Sequence, residues 1–145
     1  MHRTLTAILL AAAFALPAAA QNVAPIKERQ KILKSFGDVT KEPGKMLKGE
    51  QPFDLAKVKA ALKAYQEGTA KLPDLYPADS KTGGDTEALP VVWDKKEDFV
   101  ARYKKLGEDA AKAETAITDE ISFTEEFPKV VSSCGGCHKI YRKEK

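Results

Sequence analysis

The sequence predicts an all-α protein folded as an antiparallel four-helix bundle, on three observations. Apolar residues recur at alternating steps of three and four along several long segments, which is the spacing of one face of a helix. Strand-like alternation bounded by tight turns does not occur. The chain has 145 residues, of which 43% are hydrophobic and 31% charged, and this suits one globular domain. Four helices around one core is the economical arrangement for such a chain.

The four helices are predicted in order along the chain. The first covers about residues 26–39, after which its apolar pattern loses regularity toward Pro43. The second, third and fourth are predicted at 55–72, 99–117 and 123–141, each with Lys and Glu on the remaining faces. The segment between the second and third helices, residues 73–92, contains three prolines and a Gly-Gly pair. It is predicted to be a loop, and its length makes it a candidate functional loop.

Side chains near the helix ends predict the boundaries. Asp54 is placed to cap the second helix. Asp94 is placed to cap the third, with Glu97 three residues later in a capping-box arrangement. Pro128 lies in the first turns of the last apolar run, and a helix tolerates its missing N–H only near the start. The last helix is therefore expected to begin near residues 125–126.

Residues 1–20 are predicted to be a cleaved secretory signal peptide. They combine a basic start at Arg3, an apolar centre and a closing Ala-x-Ala site, which favour cleavage before Gln21. A membrane anchor is the alternative, but the apolar stretch falls short of the roughly 20 residues that a spanning helix needs. Residues 21–145 are then expected to form a single domain.

Removal of the signal leaves few side chains able to bind a metal. The mature chain keeps one histidine, His138, one methionine, Met46, and two cysteines, Cys134 and Cys137. The charges are nearly balanced, with 24 Lys and Arg against 21 Asp and Glu, so they indicate neither a nucleic acid nor a membrane partner.

The sequence Cys134-Gly135-Gly136-Cys137-His138 is the most specific feature of the chain. Residues three or four apart share one helix face, so both thiols and the imidazole can address a single flat ligand. C-x-x-C-H is the motif for covalent haem attachment, in which two thioether bonds hold the haem and the imidazole ligates the iron. The sequence therefore predicts one covalent haem c per chain, with His138 as the metal ligand.

Three other uses of the cysteine pair agree less well with the pattern. A thioredoxin-like dithiol needs a strand–turn–helix setting. A structural zinc site needs four Cys or His ligands, and the mature chain offers three. A disulfide between residues three apart closes a very small loop and stabilises little. The two glycines cost a helix about 1 kcal/mol each, and we interpret them as leaving room for the porphyrin edge.

The second axial position of the iron is predicted to lack a protein ligand. With His138 used, Met46 is the remaining strong neutral ligand, but it lies thirteen residues beyond Leu33, about 20 Å along a helix. Its expected role is a flexible filler near a helix end. A lysine would have to lose its proton in order to ligate. The expected result is five-coordinate iron with an apolar distal side.

The chain resembles the cytochrome c prime family, the class II c-type cytochromes, over nearly all of its mature length. In that family the haem motif lies near the C-terminus of a four-helix bundle. The segments that carry the resemblance are Arg29-Gln30-Lys31-Ile32-Leu33, Lys48-Gly49, Pro52-Phe53-Asp54, Leu72-Pro73, Gly83-Gly84-Asp85, Trp93 and the stretch from Cys134 to Arg142.

The resemblance implies roles for five residues outside the motif. In that family the residue four after the Arg of the Arg-Gln pair faces the sixth coordination position, and Met there gives six-coordinate, low-spin iron. Here that residue is Leu33, so the resemblance implies high-spin iron that binds nitric oxide or carbon monoxide. It also implies a periplasmic homodimer, with Arg29, Gln30 and Asp85 near the haem propionates and Arg142 beside the proximal histidine.

Some of these residues have a plainer interpretation, which the sequence leaves open. Arg29 could be a solvated charge, and Arg142 could complement the dipole at a helix C-terminus. Trp93 is as consistent with the core as with a haem contact. Leu75 and Tyr76, in the predicted loop, are placed to line the distal pocket.

The leading functional hypothesis is a haem protein that binds nitric oxide or carbon monoxide, transfers single electrons with an unidentified redox partner protein, or does both. The alternative is a six-coordinate electron-transfer cytochrome with Met46 or a lysine as sixth ligand. Catalysis is not expected, because a peroxidase needs distal acid–base groups and the mature chain has no second histidine.

Overall fold

The computed structural model describes residues 21–144, and the predicted signal peptide, residues 1–20, lies outside the described residues. The predicted all-α fold is confirmed: in the described part of the chain, an isolated bridge is the only β-type pairing. None of the helices there is long and apolar enough to cross a membrane. The helices are α1 (Val23–Leu47), α2 (Leu55–Lys71), the short α3 (Val91–Asp94), α4 (Lys96–Ala116) and α5 (Glu120–Tyr141).

Helix α1 is longer than its apolar pattern indicates. It runs through Pro43 to Leu47, so the loss of regularity in the sequence does not mark the end of the helix. Pro43 is buried, and the helix accepts the loss of one backbone hydrogen bond there. Two short 3₁₀ turns, Leu72–Leu75 and Ala78–Ser80, lie inside or beside the predicted loop.

The start of α5 differs from the prediction. The helix begins at Glu120, where two hydrogen bonds cap it. The side chain of Asp119 accepts a hydrogen bond from the backbone N–H of Ser122 at 2.8 Å, and the Ser122 hydroxyl accepts one from the backbone N–H of Asp119 at 3.1 Å. This Asp-x-x-Ser capping box satisfies N–H groups that the first turn would otherwise leave unpaired. Pro128 therefore lies inside the helix, and the predicted start near residues 125–126 is wrong.

One of the two other predicted caps is confirmed. The carboxylate of Asp54 accepts a hydrogen bond from the backbone N–H of Lys57, 3.2 Å away, at the start of α2. The predicted capping box at Asp94 is wrong, because Asp94 is the last residue of α3. Lys95 separates the two helices with a non-helical backbone (φ −118°, ψ 45°) and makes no side-chain cap, so α4 starts at Lys96.

The helices do not close uniformly around the core. Helix α2 packs extensively on α4, α1 packs on α2, and α5 packs on α4, whereas α1 and α5 scarcely touch. The core itself is rich in aromatic rings, which meet edge-on or tilted, an arrangement that such rings favour. These buried rings belong to Phe36, Tyr65, Tyr76, Phe99, Tyr103, Phe123, Phe127 and Tyr141.

Gly68 allows α1 and α2 to approach closely. A Cβ atom at this buried position would lie 2.3 Å from the Phe36 ring and 2.8 Å from Ile32 Cγ2. Both neighbours are held on α1, and Phe36 is itself buried, so an alanine would force side chains or backbone to move. By contrast, a Cβ at Gly135 in α5 would meet nothing within 4 Å.

We expect Gly68→Ala and Gly135→Ala to change stability in opposite directions. Overpacking at Gly68 should lower the free energy of unfolding by about 1–3 kcal/mol despite the better helix propensity of alanine. Gly135→Ala should raise it by about 0.5–1 kcal/mol, because Gly135 is exposed and, unlike Gly136, does not line the cavity between α1 and α5, so helix propensity rather than room for the porphyrin decides the effect there. Urea unfolding of the haem-loaded protein, followed by circular dichroism, measures both. Equal shifts in the two variants would contradict the close approach.

Candidate haem site

A large cavity separates α1 from α5. Its volume is about 1150 Å³, above the range of about 300–1,000 Å³ typical of small-molecule sites. Side chains of α1, α4 and α5 line it, together with Tyr65 of α2, Val92 of α3 and the loop between these two helices, and most of the lining surface is apolar. Helices α1 and α5 make little contact with each other, and the cavity lies between them.

The motif residues lie together on the wall that α5 contributes. Cys134, Cys137 and His138 all line the cavity and all are half-buried. Burial raises the pKa of both cysteine thiols, because desolvation disfavours the thiolate. In the part of the chain described, no three His, Cys, Asp or Glu side chains form a group that could hold a metal ion. The three residues therefore face a common space without converging on one ion, which argues against the zinc interpretation.

Arg142 provides a test of whether the cavity suits haem. Its side chain lines the cavity, and its Nε–H is buried without a hydrogen-bond partner among the described residues. An unpaired buried donor is costly, so the structure calls for an acceptor inside the cavity. The carboxylates of a haem are such acceptors. Gly136 also lines the cavity, and a Cβ there would meet no protein atom within 4 Å, so protein packing does not require its small size.

Arg29 is buried rather than solvated, with only 2% of its surface exposed. Its Nη1 donates to the Leu75 carbonyl (2.9 Å) and to Ser80 Oγ (2.9 Å). Its Nη2 donates to the Ser80 carbonyl (3.0 Å) and to Thr86 Oγ1 (2.9 Å). Desolvation lowers the pKa of Arg29, and the guanidinium lies 4.3 Å from the centre of the Tyr76 ring, an arrangement that favours the cation.

These contacts give Arg29 a structural task at the edge of the cavity. All four terminal N–H groups of the guanidinium can be accounted for by the loop between α2 and α3, and the residue still lines the cavity. Arg29 thus fixes the loop to α1, and the interpretation of Arg29 as a solvated charge is wrong. Its predicted proximity to the haem propionates stays a prediction.

Gln30 holds the next part of the same loop. Its side-chain amide donates to the carbonyls of Gly84 (3.0 Å) and Asp85 (3.2 Å), and Gln30 also lines the cavity. Asp85 has a left-handed backbone (φ 54°), which continues the turn made by Gly83 and Gly84. The Asp85 side chain is exposed and is not among the cavity-lining residues, so Asp85 meets Gln30 through its main chain.

The residues considered for the distal side are divided between cavity and core. Leu33 lines the cavity from α1 and packs against the core. Met46 is buried in the core, with 6% of its surface exposed, and does not line the cavity. This position agrees with its predicted role as a filler. Tyr76 lines the cavity as predicted, whereas Leu75 does not. The indole of Trp93 donates to the carbonyl of Tyr76 at 3.1 Å and packs on the core, outside the cavity lining.

Two pairs of hydroxyls line the cavity, and of their four residues the sequence predicted only Tyr76. Thr40 Oγ1 lies 2.5 Å from both the Phe36 carbonyl and the Tyr65 hydroxyl. The hydroxyls of Tyr76 and Tyr103 are 3.2 Å apart. Burial raises the pKa of Tyr65 to about 12 and raises that of Tyr103 as well. The only sequence signal was position, since Thr40 follows Leu33 by seven residues, two turns along the same helix face.

The chain after the haem motif closes one side of the cavity. The backbone N–H of Leu89 donates to the carbonyl of Tyr141 (3.0 Å), and that of Lys143 donates to the carbonyl of Glu87 (2.8 Å). Arg142 forms an isolated bridge with Ala88 between these two bonds. The loop that Arg29 and Gln30 hold from α1 is thereby also joined to the end of α5.

A bundle with this cavity and with C-x-x-C-H near its C-terminal end defines a c-type haem protein. A family model described as Cytochrome C' matches residues 24–142. The chain belongs to the cytochrome c' family, whose members carry covalently attached haem c.

Individual relatives agree with this assignment. Cytochrome c' of Rhodopseudomonas palustris is 44% identical over 120 residues, covering 83% of this chain and 82% of that protein. Cytochrome c-556 of Agrobacterium fabrum is 34% identical over 121 residues, with coverage of 83% and 82%. A solved structure of cytochrome c' from Rhodopseudomonas palustris matches with a TM-score of 0.82 at 44% identity, covering 83% of this chain and 97% of that one. The relatives carry more than one cytochrome name, so the family alone does not select the state of the iron.

We expect Arg29→Lys to destabilise the protein more than Arg102→Lys. Lysine cannot reproduce the planar fork that bonds Leu75, Ser80 and Thr86, so buried acceptors would lose partners at a cost of about 1–3 kcal/mol. Arg102 is 39% exposed and pairs with Asp98, and the charge-conserving change there should cost less than about 1 kcal/mol. Urea unfolding of the haem-loaded variants gives both values. A cost at Arg29 no greater than at Arg102 would refute the anchoring role.

Proposed function

We propose that the protein is a periplasmic haem protein with five-coordinate, high-spin iron that binds nitric oxide or carbon monoxide on an apolar distal face. Single-electron transfer is the other activity that the same site supports. Cys134 and Cys137 would hold the haem and His138 would be its axial ligand. The observation that carries the proposal is Leu33, which cannot ligate iron and lines the wall opposite α5, while Met46 lies in the core.

Haem c, when attached, supplies an iron that exchanges one electron and binds small gases where no protein ligand occupies the second axial position. The chain's own residues decide what reaches that position. Leu33, which lines the cavity, would present hydrocarbon to it, and the carboxylates of the cavity lining, Glu50 and Glu87, are both exposed. Neutral diatomic ligands are tolerated in such surroundings, whereas a polar or charged ligand would lose hydration without replacement.

The Thr40 and Tyr65 hydroxyls, the pair nearest to Leu33 along α1, have no free proton to donate to a bound ligand. The single Thr40 proton is used on the Phe36 carbonyl, so the Tyr65 hydroxyl is the donor in the bond that it shares with Thr40. Both protons are therefore committed inside the wall. A bound ligand that requires a hydrogen-bond donor, as polar oxygen complexes do, gains none from this pair. The second pair, Tyr76 and Tyr103, lies beside Arg29.

Lysine ligation, part of the alternative function, is opposed by the ion pairs on α1. Lys34 and Lys41 both line the cavity, but their ammonium groups lie 2.6 and 2.8 Å from the two carboxylate oxygens of Asp38. Either lysine would have to give up both its proton and this partner in order to ligate iron. Lys48 also lines the cavity and has no such carboxylate partner, but it too would have to lose its proton in order to ligate.

The remaining parts of the proposal rest on the sequence and on relatives. Export to the periplasm follows from the predicted signal peptide, and a homodimer is expected from the family resemblance. One solved structure that is similar in fold, at 23% identity, is a nitric oxide complex of a variant of cytochrome c prime from Alcaligenes xylosoxidans. Nitric oxide is thus a ligand of a protein with this fold.

The carbon monoxide difference spectrum of the haem-loaded protein tests the function. We expect high-spin ferric and ferrous spectra and a clear change when carbon monoxide is added to the ferrous form. Leu33→Met is the matched variant, because the swap conserves volume and introduces a thioether at the distal wall. It should shift the iron toward low spin and reduce carbon monoxide binding. A wild-type protein that is low-spin in both oxidation states and ignores carbon monoxide would overturn the proposal.

A substitution at Met46 distinguishes the proposed five-coordinate iron from the alternative in which Met46 is the sixth ligand. We expect Met46→Leu to leave the absorption spectrum unchanged, because the residue is buried away from the cavity and the swap conserves volume. Loss of a ligand-to-iron band at the red end of the spectrum would instead establish Met46 as the sixth ligand. Stability of the variant within about 1.5 kcal/mol of wild type, by urea unfolding, confirms that packing is intact.

A further inference from the structure

A line of lysines runs along the whole of one face of α1. Consecutive members are separated by steps of four and three residues, which keeps them on one side of the helix. Every position is exposed, and six of the seven are lysine. We name as the lysine stripe the residues Lys27, Lys31, Lys34, Asp38, Lys41, Lys45 and Lys48.

The stripe does not serve the stability of α1. Like charges three or four residues apart weaken a helix. Asp38 offsets this at Lys34 and Lys41, and Glu42 pairs with Lys45 at 3.0 Å. Lys27, Lys31 and Lys48 have no carboxylate of residues 21–144 within 4.0 Å. Part of the stripe therefore carries positive charge that no ion pair within α1 compensates.

The stripe borders the mouth of the haem cavity. Its C-terminal members, Lys34, Lys41, Lys45 and Lys48, are themselves part of the cavity lining, and Lys105 lines the cavity from α4. All five are exposed. Glu50 and Glu87 are the acidic residues of the same lining, so this side of the cavity carries an excess of positive charge.

We propose that the lysine stripe is the docking surface for an acidic redox protein, which exchanges one electron with the haem through the adjoining cavity mouth. The proposal rests on the proposed function in so far as the cavity holds haem. The electron passes between the haem iron and a one-electron centre in the partner, and no bond forms or breaks. Carboxylates of the partner would face the lysines, steering the approach over a distance before contact.

Other occupants of this face are less consistent with its chemistry. A second copy of the chain would bring the same positive stripe, and the two would repel one another. Nucleic acid surfaces are recognised with arginine and aromatic side chains as well as lysine, and the stripe contains neither. Anionic membranes favour a basic helix that also presents an apolar face, and the apolar face of α1 is packed on α2.

Electron transfer to small reagents of opposite charge tests the surface. The measurement is the stopped-flow rate of oxidation of the ferrous, haem-loaded protein by hexacyanoferrate(III) and by tris(phenanthroline)cobalt(III). The test variant is Lys41→Gln, Lys45→Gln, Lys48→Gln. The matched control is Lys63→Gln, Lys71→Gln, Lys112→Gln, which removes the same charge from exposed positions outside the cavity lining.

At low ionic strength the test variant should react about three- to tenfold more slowly with hexacyanoferrate(III) and faster with the cobalt complex. The control should change both rates much less, and the differences should vanish near 1 M salt, where screening acts over about 3 Å. Equal effects in the two variants would overturn the proposal, because overall charge alone would then explain them.

Binding probes distinguish the class of partner. Polyglutamate should inhibit the hexacyanoferrate(III) reaction of the wild type and of the control, and should do so several-fold less for the test variant. Stripe-dependent binding to phosphatidylglycerol vesicles or to duplex DNA, without an effect of polyglutamate, would refute an acidic protein partner. An unchanged absorption and carbon monoxide spectrum in each variant shows that the haem site is intact, so a failure of docking remains distinct from a failure of the proposed function.

Discussion

The space between α1 and α5 is the constraint on which the rest of the structure depends. A four-helix bundle ordinarily fills its centre with side chains from all four helices. Here α2 and α4 form the continuous packed layer, and α1 and α5 diverge around a cavity of about 1150 Å³. Helices α1 and α5 are held by their packing on α2 and α4 respectively, and the loop between α2 and α3 adds polar contacts to both of them.

That loop is a polar clamp between the two walls. From α1, the buried guanidinium of Arg29 and the amide of Gln30 bind its carbonyls and hydroxyls. From the end of α5, the backbone around Arg142 pairs with residues 87–89. Main-chain carbonyls accept most of these bonds, so the clamp depends on the loop's shape more than on its side chains. This explains why Asp85 contributes a backbone position rather than a carboxylate.

The sequence predicts the elements that depend on local chemistry and misses those that depend on distant partners. The apolar period located all four long helices, and the haem motif located three residues that line the cavity, because both signals are local. The start of α5 was missed although the Asp119–Ser122 capping box is local, since Pro128 was given greater weight. The partners of Arg29 could not be predicted, because they lie about fifty residues away on an irregular loop and include main-chain carbonyls. Tyr65 and Tyr103 occupy apolar-face positions of their helices, so the sequence did not distinguish their cavity-lining hydroxyls from ordinary core residues.

Helix α1 combines three separate tasks on three faces. One face packs on α2 through Phe36 and the close approach at Gly68. A second face forms the distal wall with Leu33 and Thr40, and the third carries the lysine stripe into solvent. Because helical geometry separates these faces, the proposed function predicts that a substitution at Leu33 changes the ligation of the iron without disturbing either the packing or the charge. If the proposal holds, members of one family can differ in iron chemistry while keeping the same bundle, and the residue at position 33 on α1 is then more informative about function than the similarity of the whole chain.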